Sequence, residues 1–295
     1  MDEHGARLLA EWNQRMEGEI LIPLWEKGKS PQYDATYGQR EPSLVAYPAE
    51  NTEGAKSGAV LVCAGGGFSI KAPHEGWPVC EWLNQNGISA FLLDYRLSPY
   101  TLPTIIGDAK RAMRVIRHRA AEWGIDPEKI GIMGFSAGGQ ITVTVSTMFD
   151  DGDADSADPA ERVSCRPNVQ LPCYPAISLV GDEKLEASVS EEQKNGWKTW
   201  VNSLLGPDAS REMARAYSAE CNVKDNTPPA FLWGTCDNFL YKFWPPYLEA
   251  LTAKSISFEA HIFSNGPHGM GLAADHPTAS AWPEQAAAWL KLQGF

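Results

Sequence analysis

The sequence has few basic residues, no long apolar run and no paired cysteine motif. Its 295 residues include 25 Lys and Arg against 37 Asp and Glu, a formal net charge of −12. Phosphate backbones and anionic lipids would repel such a chain, so we expect no nucleic-acid partner and no membrane partner. No apolar stretch approaches a membrane span, and the first residues lack a basic segment followed by an apolar one. We therefore expect a cytoplasmic location.

The cysteines show no spacing typical of a disulfide framework or a zinc site. There is no Cys-x-x-Cys pair and no histidine at zinc-finger spacing. Cys63 and Cys236 lie in apolar, strand-like runs, where a thiol behaves as a small hydrophobic side chain. We therefore expect six buried thiols, at Cys63, Cys80, Cys165, Cys173, Cys221 and Cys236.

An acidic stretch at 149–158 is the segment that most suggests a metal. Its aspartates alternate as in some calcium loops, but it lacks the final glutamate of the EF-hand loop. A solvated surface loop is the better interpretation, since runs of like charge are usually hydrated. The sequence therefore predicts neither a metal nor another cofactor.

Apolar strand-like segments alternate with helical ones, which predicts a mostly parallel sheet with helices on both faces. We expect strands at 43–47 (an antiparallel edge strand), 58–63, 88–93, 130–133, 168–174, 228–234 and 257–263. We expect helices at 3–16, 78–85, 105–123, 140–148, 247–254 and 283–292. A polar helical insertion at about 181–217 has the position of a small cap. The pattern predicts a single α/β domain over 1–295 with an N-terminal arm over about 1–40.

Residues 134–138 read Gly-Phe-Ser-Ala-Gly and lie between a β-branched strand and a segment free of Gly and Pro. A strand, a sharp turn and a helix in this order expose a serine hydroxyl at the turn. Gly134 and Gly138 permit the strained backbone and close packing that such a turn needs. The pattern predicts a nucleophile at Ser136; an ordinary Gly-rich turn is the alternative.

A serine hydroxyl is a weak nucleophile at neutral pH, so it needs a general base and a third group that orients the base. In chains with this type of turn, an acid and then a histidine follow the serine, each after a strand. His268 lies just past the last predicted strand, and we predict that it is the base. The other histidines have less suitable positions, in the N-terminal arm, after a glycine loop, in a helix, inside a strand or before a proline: His4, His74, His118, His261 and His276.

The third group is expected directly after the strand at 228–234. Asp237 has that position, and we predict that it is the acid. Its neighbour Asn238 carries no permanent charge and is a poor substitute, while Asp225 precedes the strand. A turn-capping role is the alternative for Asp237.

A triple glycine, Gly65 to Gly67, follows the strand at 58–63. Backbone amides in such a loop approach a ligand without interference from side chains, and a tetrahedral intermediate needs two or three such donors. Together with the amide of Ala137, this loop predicts an oxyanion hole. A flexible linker is the alternative, although linkers do not lie between a strand and a helix in the middle of a sheet.

The ordered set of motifs is more specific than any one of them. The set comprises Ala-Gly-Gly-Gly-Phe at 64–68, Asp-Tyr-Arg-Leu-Ser-Pro at 94–99, Gly-Phe-Ser-Ala-Gly-Gly at 134–139 and Gly-Pro-His-Gly at 266–269. From about Leu21 to Phe295, the chain resembles the α/β-hydrolases of the group that contains bacterial acetyl esterases and acetyl xylan esterases, related to the hormone-sensitive-lipase-like esterases. The resemblance implies an α/β-hydrolase fold.

Carried over by position, the resemblance implies a nucleophile at Ser136, an acid at Asp237, a base at His268 and oxyanion glycines at Gly66 and Gly67. The chain departs from the family in two places. The residue before the triple glycine, usually His or Pro, is Ala, which removes a bracing side chain but leaves the amides in place. The segment after the acid is also shorter than is usual in the family.

The resemblance implies a serine carboxylesterase for short-chain esters that acts through an acyl-enzyme, with acetylated xylo-oligosaccharides or similar sugars as substrates. A general short-chain or feruloyl-like aryl esterase is one alternative, and a non-catalytic binding protein on the same scaffold is another. We expect the substrate pocket to include Phe68, His74, Tyr95 and Tyr174. Aromatic side chains near the expected pocket would suit sugar faces: Phe68, Trp77, Tyr95, Tyr100, Tyr174, Trp197 and Trp200. The sequence does not indicate an oligomeric state.

Overall fold

An eight-stranded sheet organises the residues that the structure, a computed structural model, describes: 2–50, 56–180 and 189–295. The strands are β1 (Leu21–Pro23), β2 (Ser43–Tyr47), β3 (Ser57–Cys63), β4 (Ser89–Asp94), β5 (Ile125–Phe135), β6 (Gln170–Cys173), β7 (Ala230–Thr235) and β8 (Phe258–Phe263). Their spatial order is β1-β2-β4-β3-β5-β6-β7-β8. Strands β3 to β8 pair in parallel, whereas β1 and β2 pair antiparallel.

The position of β2 corrects one expectation. Residues 43–47 form an antiparallel strand, as predicted, but this strand does not lie at the edge of the sheet, because β1 pairs with its outer side. A strand of three residues is too short to show an alternating pattern. The sequence therefore gave no indication of β1.

Helices cover both faces of the sheet. They are α1 (Glu3–Glu17), α2 (Trp77–Gln85), α3 (Leu102–His118), α4 (Ala137–Met148), α5 (Glu191–Leu205), α6 (Arg211–Ala216), α7 (Pro245–Ala253) and α8 (Trp282–Leu292). Along β3, Ala59 and Leu61 pack in one core with α3 and α4, while Val60 and Val62 pack in a second core with α1, α2 and α8. Successive side chains of a strand point to opposite faces, so a wholly apolar strand requires cover on both. In the described ranges, no helix is both long enough and apolar enough to cross a bilayer.

A buried ion pair joins the loop after β4 to α3. The guanidinium of Arg96 donates to the carboxylate of Asp108 at 2.5 Å, and neither side chain has appreciable solvent exposure. The backbone N–H of Arg96 donates to the same carboxylate at 3.0 Å, and Nη1 of Arg96 donates to the carbonyl of Pro31 at 2.5 Å. Burial raises the pKa of Asp108, and the charge of Arg96 opposes that shift. The guanidinium of Arg96, in the loop after β4, therefore binds both the N-terminal arm and α3.

Helices α5 and α6 lie within the insertion expected between two strands. The first part of that insertion, 181–188, lies outside the described residues. Helix α5 begins with a capping box, in which the Ser190 hydroxyl accepts the N–H of Gln193 and the Gln193 side chain accepts the N–H of Ser190. This pair satisfies two amides that the first turn leaves without partners.

Two of the six cysteines depart from the expected burial. Cys221 and Cys236 are exposed, while the other four are buried, and all six are free thiols. Cys236 directly follows the last residue of β7, so the apolar run ends one residue before it. The prediction that Cys236 is buried is therefore wrong, because the buried strand ends at Thr235.

Candidate active site

Ser136 lies at the turn between the end of β5 and the start of α4. Its φ of +52° and ψ of −112° are values that residues with a side chain rarely adopt. The turn packs closely on the neighbouring strand, since a Cβ on Gly138 would lie 1.9 Å from the carbonyl oxygen of Cys63. The N–H of Ser136 also donates to the carbonyl of Cys173 at 3.0 Å. These contacts hold Ser136 at the carboxyl edge of the parallel strands, where ligands of α/β proteins usually bind.

The hydroxyl of Ser136 is hydrogen-bonded to the imidazole of His268. Oγ of Ser136 and Nε2 of His268 are 2.7 Å apart, a distance that allows direct proton transfer. The ring of His268 packs edge-on against Tyr174, with 5.0 Å between ring centroids. His268 is exposed at the surface of the cavity, but the protein packed around its ring desolvates the charged form and lowers its pKa to about 4. The imidazole is therefore neutral at neutral pH, as a general base requires.

Backbone amides beside Ser136 are candidate oxyanion donors. Gly67 and Ala137 line the same cavity as Ser136. Within the described residues, the N–H groups of Gly66, Gly67 and Ala137 donate no hydrogen bond to another protein group. Ala137 is also the first residue of α4, where the helix dipole favours negative charge. Gly65 packs against the turn itself, since a Cβ there would lie 3.0 Å from the Cβ of Ser136.

A buried carboxylate, Glu75, connects the glycine loop to the loop that carries His268. Its Oε2 accepts the N–H of Gly65 at 2.8 Å, and its Oε1 accepts the hydroxyl of Tyr174 at 2.6 Å. The oxygen of Tyr174 in turn accepts the N–H of Gly271 at 2.9 Å. Burial raises the pKa of Glu75, and the hydrogen bond from Tyr174 opposes that shift. Glu75 thus fixes the two loops relative to each other.

At the second ring nitrogen of His268, the structure places Asn238 rather than Asp237. The side-chain amide nitrogen of Asn238 is hydrogen-bonded to Nδ1 of His268. Asp237 instead accepts the N–H of Gly266 through Oδ2 at 2.8 Å, and no hydrogen bond or ion pair joins it to His268 in the described part of the chain. The expected contact between Asp237 and His268 is therefore absent from this geometry. Charge favours Asp237 over Asn238 as a partner of His268, whereas the turn after β7 directs the carboxylate of Asp237 to the N–H of Gly266.

Asn238 also begins a short helix. Its Oδ1 accepts the N–H of Leu240 at 3.2 Å and so caps the 3₁₀ helix Phe239–Phe243. Asparagine before an apolar run is a recognised N-cap signal, and this signal could have identified the role of Asn238 from the sequence. The residue is only 8% exposed. Its amide is therefore held between the short helix and His268.

A cavity of about 460 Å³ opens beside Ser136. Its wall includes Trp197 and Trp200 from α5, and Phe239 and Leu240 from the short helix that Asn238 caps. The rings of the two tryptophans are 4.7 Å apart. The cavity therefore brings three aromatic side chains, Trp197, Trp200 and Phe239, to the same space as the hydroxyl of Ser136.

Two residues expected in the pocket lie behind this wall. Phe68 is buried and stacks on Trp200 at 6.0 Å between ring centroids. Tyr95 is also buried and donates its hydroxyl to the carbonyl of Ala64 at 2.6 Å. Neither lines the cavity, so the pocket prediction for Phe68 and Tyr95 is corrected: they support the glycine loop. Of the aromatic residues expected to suit a sugar, Trp197 and Trp200 line the cavity.

The other two expected pocket residues support the loop of His268. Nε2 of His74 is hydrogen-bonded to the carbonyl of Gly269 at 2.9 Å. Tyr174 contacts the ring of His268 and binds Glu75, as described above. Neither His74 nor Tyr174 is on the cavity wall. Both residues therefore contact His268 or its loop rather than the cavity.

The acidic segment at 149–158 packs against α3. Asp158 pairs with Arg111 at 2.6 Å, and Asp150 pairs with Arg114. These arginines neutralise part of the acidic run. Among the described residues, no group of three or more His, Cys, Asp or Glu side chains could hold a metal ion.

A parallel sheet with a strained serine at its carboxyl edge and a histidine on the serine hydroxyl defines an α/β protein of the nucleophile-elbow class. The comparisons with known proteins agree with this class. The chain belongs to the alpha/beta hydrolase fold family, whose model matches residues 60–272. The fold expected from the sequence is thereby confirmed.

Several similar proteins are named as enzymes that hydrolyse xylan or esters. The chain is 31% identical to the endo-1,4-beta-xylanase B of Butyrivibrio fibrisolvens over 258 residues, which are 85% of the chain and 38% of that protein. It is 31% identical to the acetylxylan esterase of Xylanibacter ruminicola over 236 residues, 77% of the chain and 43% of that protein. The chain thus spans less than half the length of these two relatives. The crystal structure of the acetyl ester-xyloside bifunctional hydrolase from Caldicellulosiruptor lactoaceticus matches with a TM-score of 0.84 and 38% identity, over 94% of this chain and 97% of that chain.

Proposed function

We propose that the chain is a serine carboxylesterase that removes short acyl groups, acetyl in particular, through an acyl intermediate on Ser136. The observation that carries the proposal is the 2.7 Å hydrogen bond between Oγ of Ser136 and Nε2 of His268, at a strained turn. The amides of Gly67 and Ala137 at the same cavity supply candidate oxyanion donors. The names of an acetylxylan esterase and an acetyl ester-xyloside hydrolase among the relatives support an ester substrate.

In the proposed reaction, Oγ of Ser136 attacks the acetyl carbonyl carbon while its proton passes to Nε2 of His268. The amides of Gly66, Gly67 and Ala137 bind the resulting oxyanion. Collapse of the tetrahedral intermediate breaks the ester C–O bond, and His268 gives its proton to the leaving alcohol. Water then attacks acetyl-Ser136 and passes a proton to His268, which returns it to Oγ as acetate leaves. These steps use side chains and backbone amides without a cofactor.

Acetylated xylo-oligosaccharides or similar acetylated sugars are the proposed substrates. Trp197 and Trp200 give the cavity an extended aromatic surface, on which the C–H face of a sugar ring can pack. Such surfaces with a few polar groups are typical of small-molecule sites. A neutral sugar also carries no charge that the acidic chain would repel.

The acyl and alcohol preferences test the proposal. Acetate release from acetylated xylo-oligosaccharides is measured by mass spectrometry beside a panel of acetyl, octanoyl and feruloyl esters. We expect the highest kcat/KM for the acetylated sugars. A preference for octanoyl esters would refute the short acyl specificity, and a preference for feruloyl esters would assign the chain to aryl esterases. If the folded protein hydrolyses none of them, the esterase proposal is wrong and a non-catalytic binding protein is favoured.

Trp200→Ala is expected to raise KM for the acetylated sugars about tenfold, because loss of an aromatic contact of about 1.4 kcal/mol changes affinity tenfold. The value of kcat for the same substrates should change far less. Trp200→Phe is the matched control, since it keeps an aromatic face and should retain a KM close to that of the wild type. Equal KM values for the alanine variant and the wild type would remove Trp200 from the proposed sugar contact.

A further inference from the structure

The hydrogen bonds of Asn238 determine which nitrogen of His268 carries the proton. Oδ1 of Asn238 accepts the N–H of Leu240, and the amide NH₂ is hydrogen-bonded to Nδ1 of His268. An NH₂ group only donates, so Nδ1 must accept and carries no proton. A neutral imidazole then has its proton on Nε2. In that tautomer Nε2 donates to Oγ of Ser136 and cannot take the serine proton.

The backbone fixes the orientation of the Asn238 amide. If the amide were reversed, its NH₂ would face the N–H of Leu240, and two donors would meet. The reversed amide would present Oδ1 to Nδ1 of His268. That arrangement suits the working tautomer, in which Nδ1 carries the proton and Nε2 can accept the proton of Ser136, but it would leave the Leu240 N–H without its acceptor. The cap of the short helix and the working tautomer of the base thus compete for one oxygen.

Among the described residues, no carboxylate is hydrogen-bonded to Nδ1 of His268 in place of Asn238. Titratable and polar groups reach His268 or its loop from several segments: Glu75 and His74 before α2, Ser136, Tyr174 after β6, Asp237 after β7, and His276 in the same loop as His268. The carboxylate of Asp237 is bound to the N–H of Gly266, and that of Glu75 to Tyr174 and Gly65. The contact on Nδ1 therefore comes from Asn238.

We infer that Asn238 is the positioning residue of the base, and that it holds His268 in the Nε2–H tautomer in the resting protein. The working tautomer forms when the amide turns, Nε2 loses its proton to water and Nδ1 takes one up from water. This inference deepens the proposed function and rests on it for the consequence for catalysis. Asn238→Asp removes the conflict, because one carboxylate oxygen can cap Leu240 while the other accepts a proton-bearing Nδ1.

Asn238→Asp is therefore expected to raise kcat/KM for p-nitrophenyl acetate by at least tenfold and up to about 10⁴-fold, the factor lost when a triad aspartate becomes asparagine. The pH profile should change as well. Burial lowers the pKa of His268 to about 4, and activity needs the neutral ring, so the acidic limb of the wild-type profile should lie near that pH. A carboxylate on Nδ1 stabilises the charged ring, so the acidic limb of the variant should move to higher pH.

Two variants separate this effect from added charge and from the role of Asp237. Asn265→Asp adds the same charge at an exposed position in the loop of His268, and its rate and pH profile should match those of the wild type. Asp237→Asn should cost much less activity than His268→Ala, because Asp237 binds a backbone amide. If Asp237→Asn loses as much as His268→Ala, Asp237 is the acid in the reacting state and the inference is overturned. A folded Asn238→Asp variant with unchanged or lower activity also overturns it.

The tautomer itself is measurable without any activity. ¹⁵N NMR of the wild-type protein labelled at histidine, with His268→Ala to assign the signal, reports which ring nitrogen carries the proton. We expect Nε2–H at neutral pH, and a resting Nδ1–H tautomer would refute the inference. Because this readout needs no substrate, it tests the role of Asn238 even if no ester in the panel is hydrolysed.

Discussion

Replacement of Ser136 by alanine is expected to remove the acyl-enzyme and to lower kcat for acetyl esters about 10⁶-fold in the Asn238→Asp background and by less, about 10²- to 10⁵-fold, in the wild-type chain. In the proposed mechanism the serine and the histidine act as one unit, so loss of the serine should leave the same residual rate in both backgrounds. That residual rate comes from binding and the oxyanion donors. The fall in kcat caused by Ser136→Ala therefore measures the rate enhancement that Ser136 and His268 provide together. This fall should be larger in the Asn238→Asp background than in the wild-type chain, by the same factor by which Asn238→Asp raises the rate.

Ser146→Ala is the matched control for this substitution. Ser146 lies in the same helix, α4, is buried and has no hydrogen-bond partner for its hydroxyl within the described residues. The chemical change is identical, and we expect activity within about twofold of the wild type, since surface and core changes away from the site alter stability more than chemistry. Initial rates with p-nitrophenyl acetate and mass spectrometry of the acetylated protein provide the two readouts. Full activity or an acetyl adduct in the Ser136→Ala protein would contradict its assignment as the nucleophile.

Asp108→Ala is expected to have the largest effect on stability, about 3–5 kcal/mol of unfolding free energy. The substitution leaves the guanidinium of Arg96 buried without its counter-charge, and breaking a buried pair from one side is costly in this range. The substitution also leaves the backbone N–H of Arg96 without the carboxylate oxygen to which it donates. Urea unfolding followed by circular dichroism measures the change, with the expectation that the midpoint falls and the slope is unchanged.

The exposed pair between Arg119 and Glu122 provides the control. It has a similar length, 2.8 Å, but more than half of the Glu122 side chain is open to solvent. Exposed pairs contribute little because water already solvates both charges. Glu122→Ala should therefore leave the urea midpoint at the wild-type value. Equal urea midpoints for Glu122→Ala and Asp108→Ala would mean that the buried pair of Arg96 and Asp108 contributes no more to the free energy of unfolding than the exposed pair does.

The sequence predicts the central sheet well because its strands are buried on both faces. Residues 58–63 are apolar throughout and form β3, whose two faces belong to different cores. The short strand Leu21–Pro23 escapes prediction, because its pairing depends on β2 and on no pattern of its own. Local patterns thus identify the buried strands, while the edge of the sheet is decided by a contact between segments distant in sequence.

At the candidate site, chain order and glycine spacing predict that Ser136 and His268 lie next to each other. They do not distinguish Asp237 from Asn238, because neighbouring residues at the end of a strand point in different directions, and backbone donors decide which one meets the histidine. The cavity wall is predicted only in part, because Trp197 and Trp200 line it whereas the other aromatic residues expected near the pocket do not. Trp197 and Trp200 lie about sixty residues beyond Ser136 in the sequence, and their approach depends on how α5 packs over the sheet.

The link made by Glu75 has a consequence for attempts to redesign the specificity of this scaffold. One carboxylate joins the glycine loop to Tyr174 and, through it, to the loop of His268. These two loops therefore form a single module, and grafting one of them from a relative would break the link unless its partners were transplanted too. Helix α5 is not part of the Glu75 link and meets the glycine loop through the stacking of Trp200 on Phe68, and the indole N–H of Trp197 has no hydrogen-bond partner in the described ranges. Libraries aimed at new alcohol groups should accordingly vary α5 and leave both loops intact.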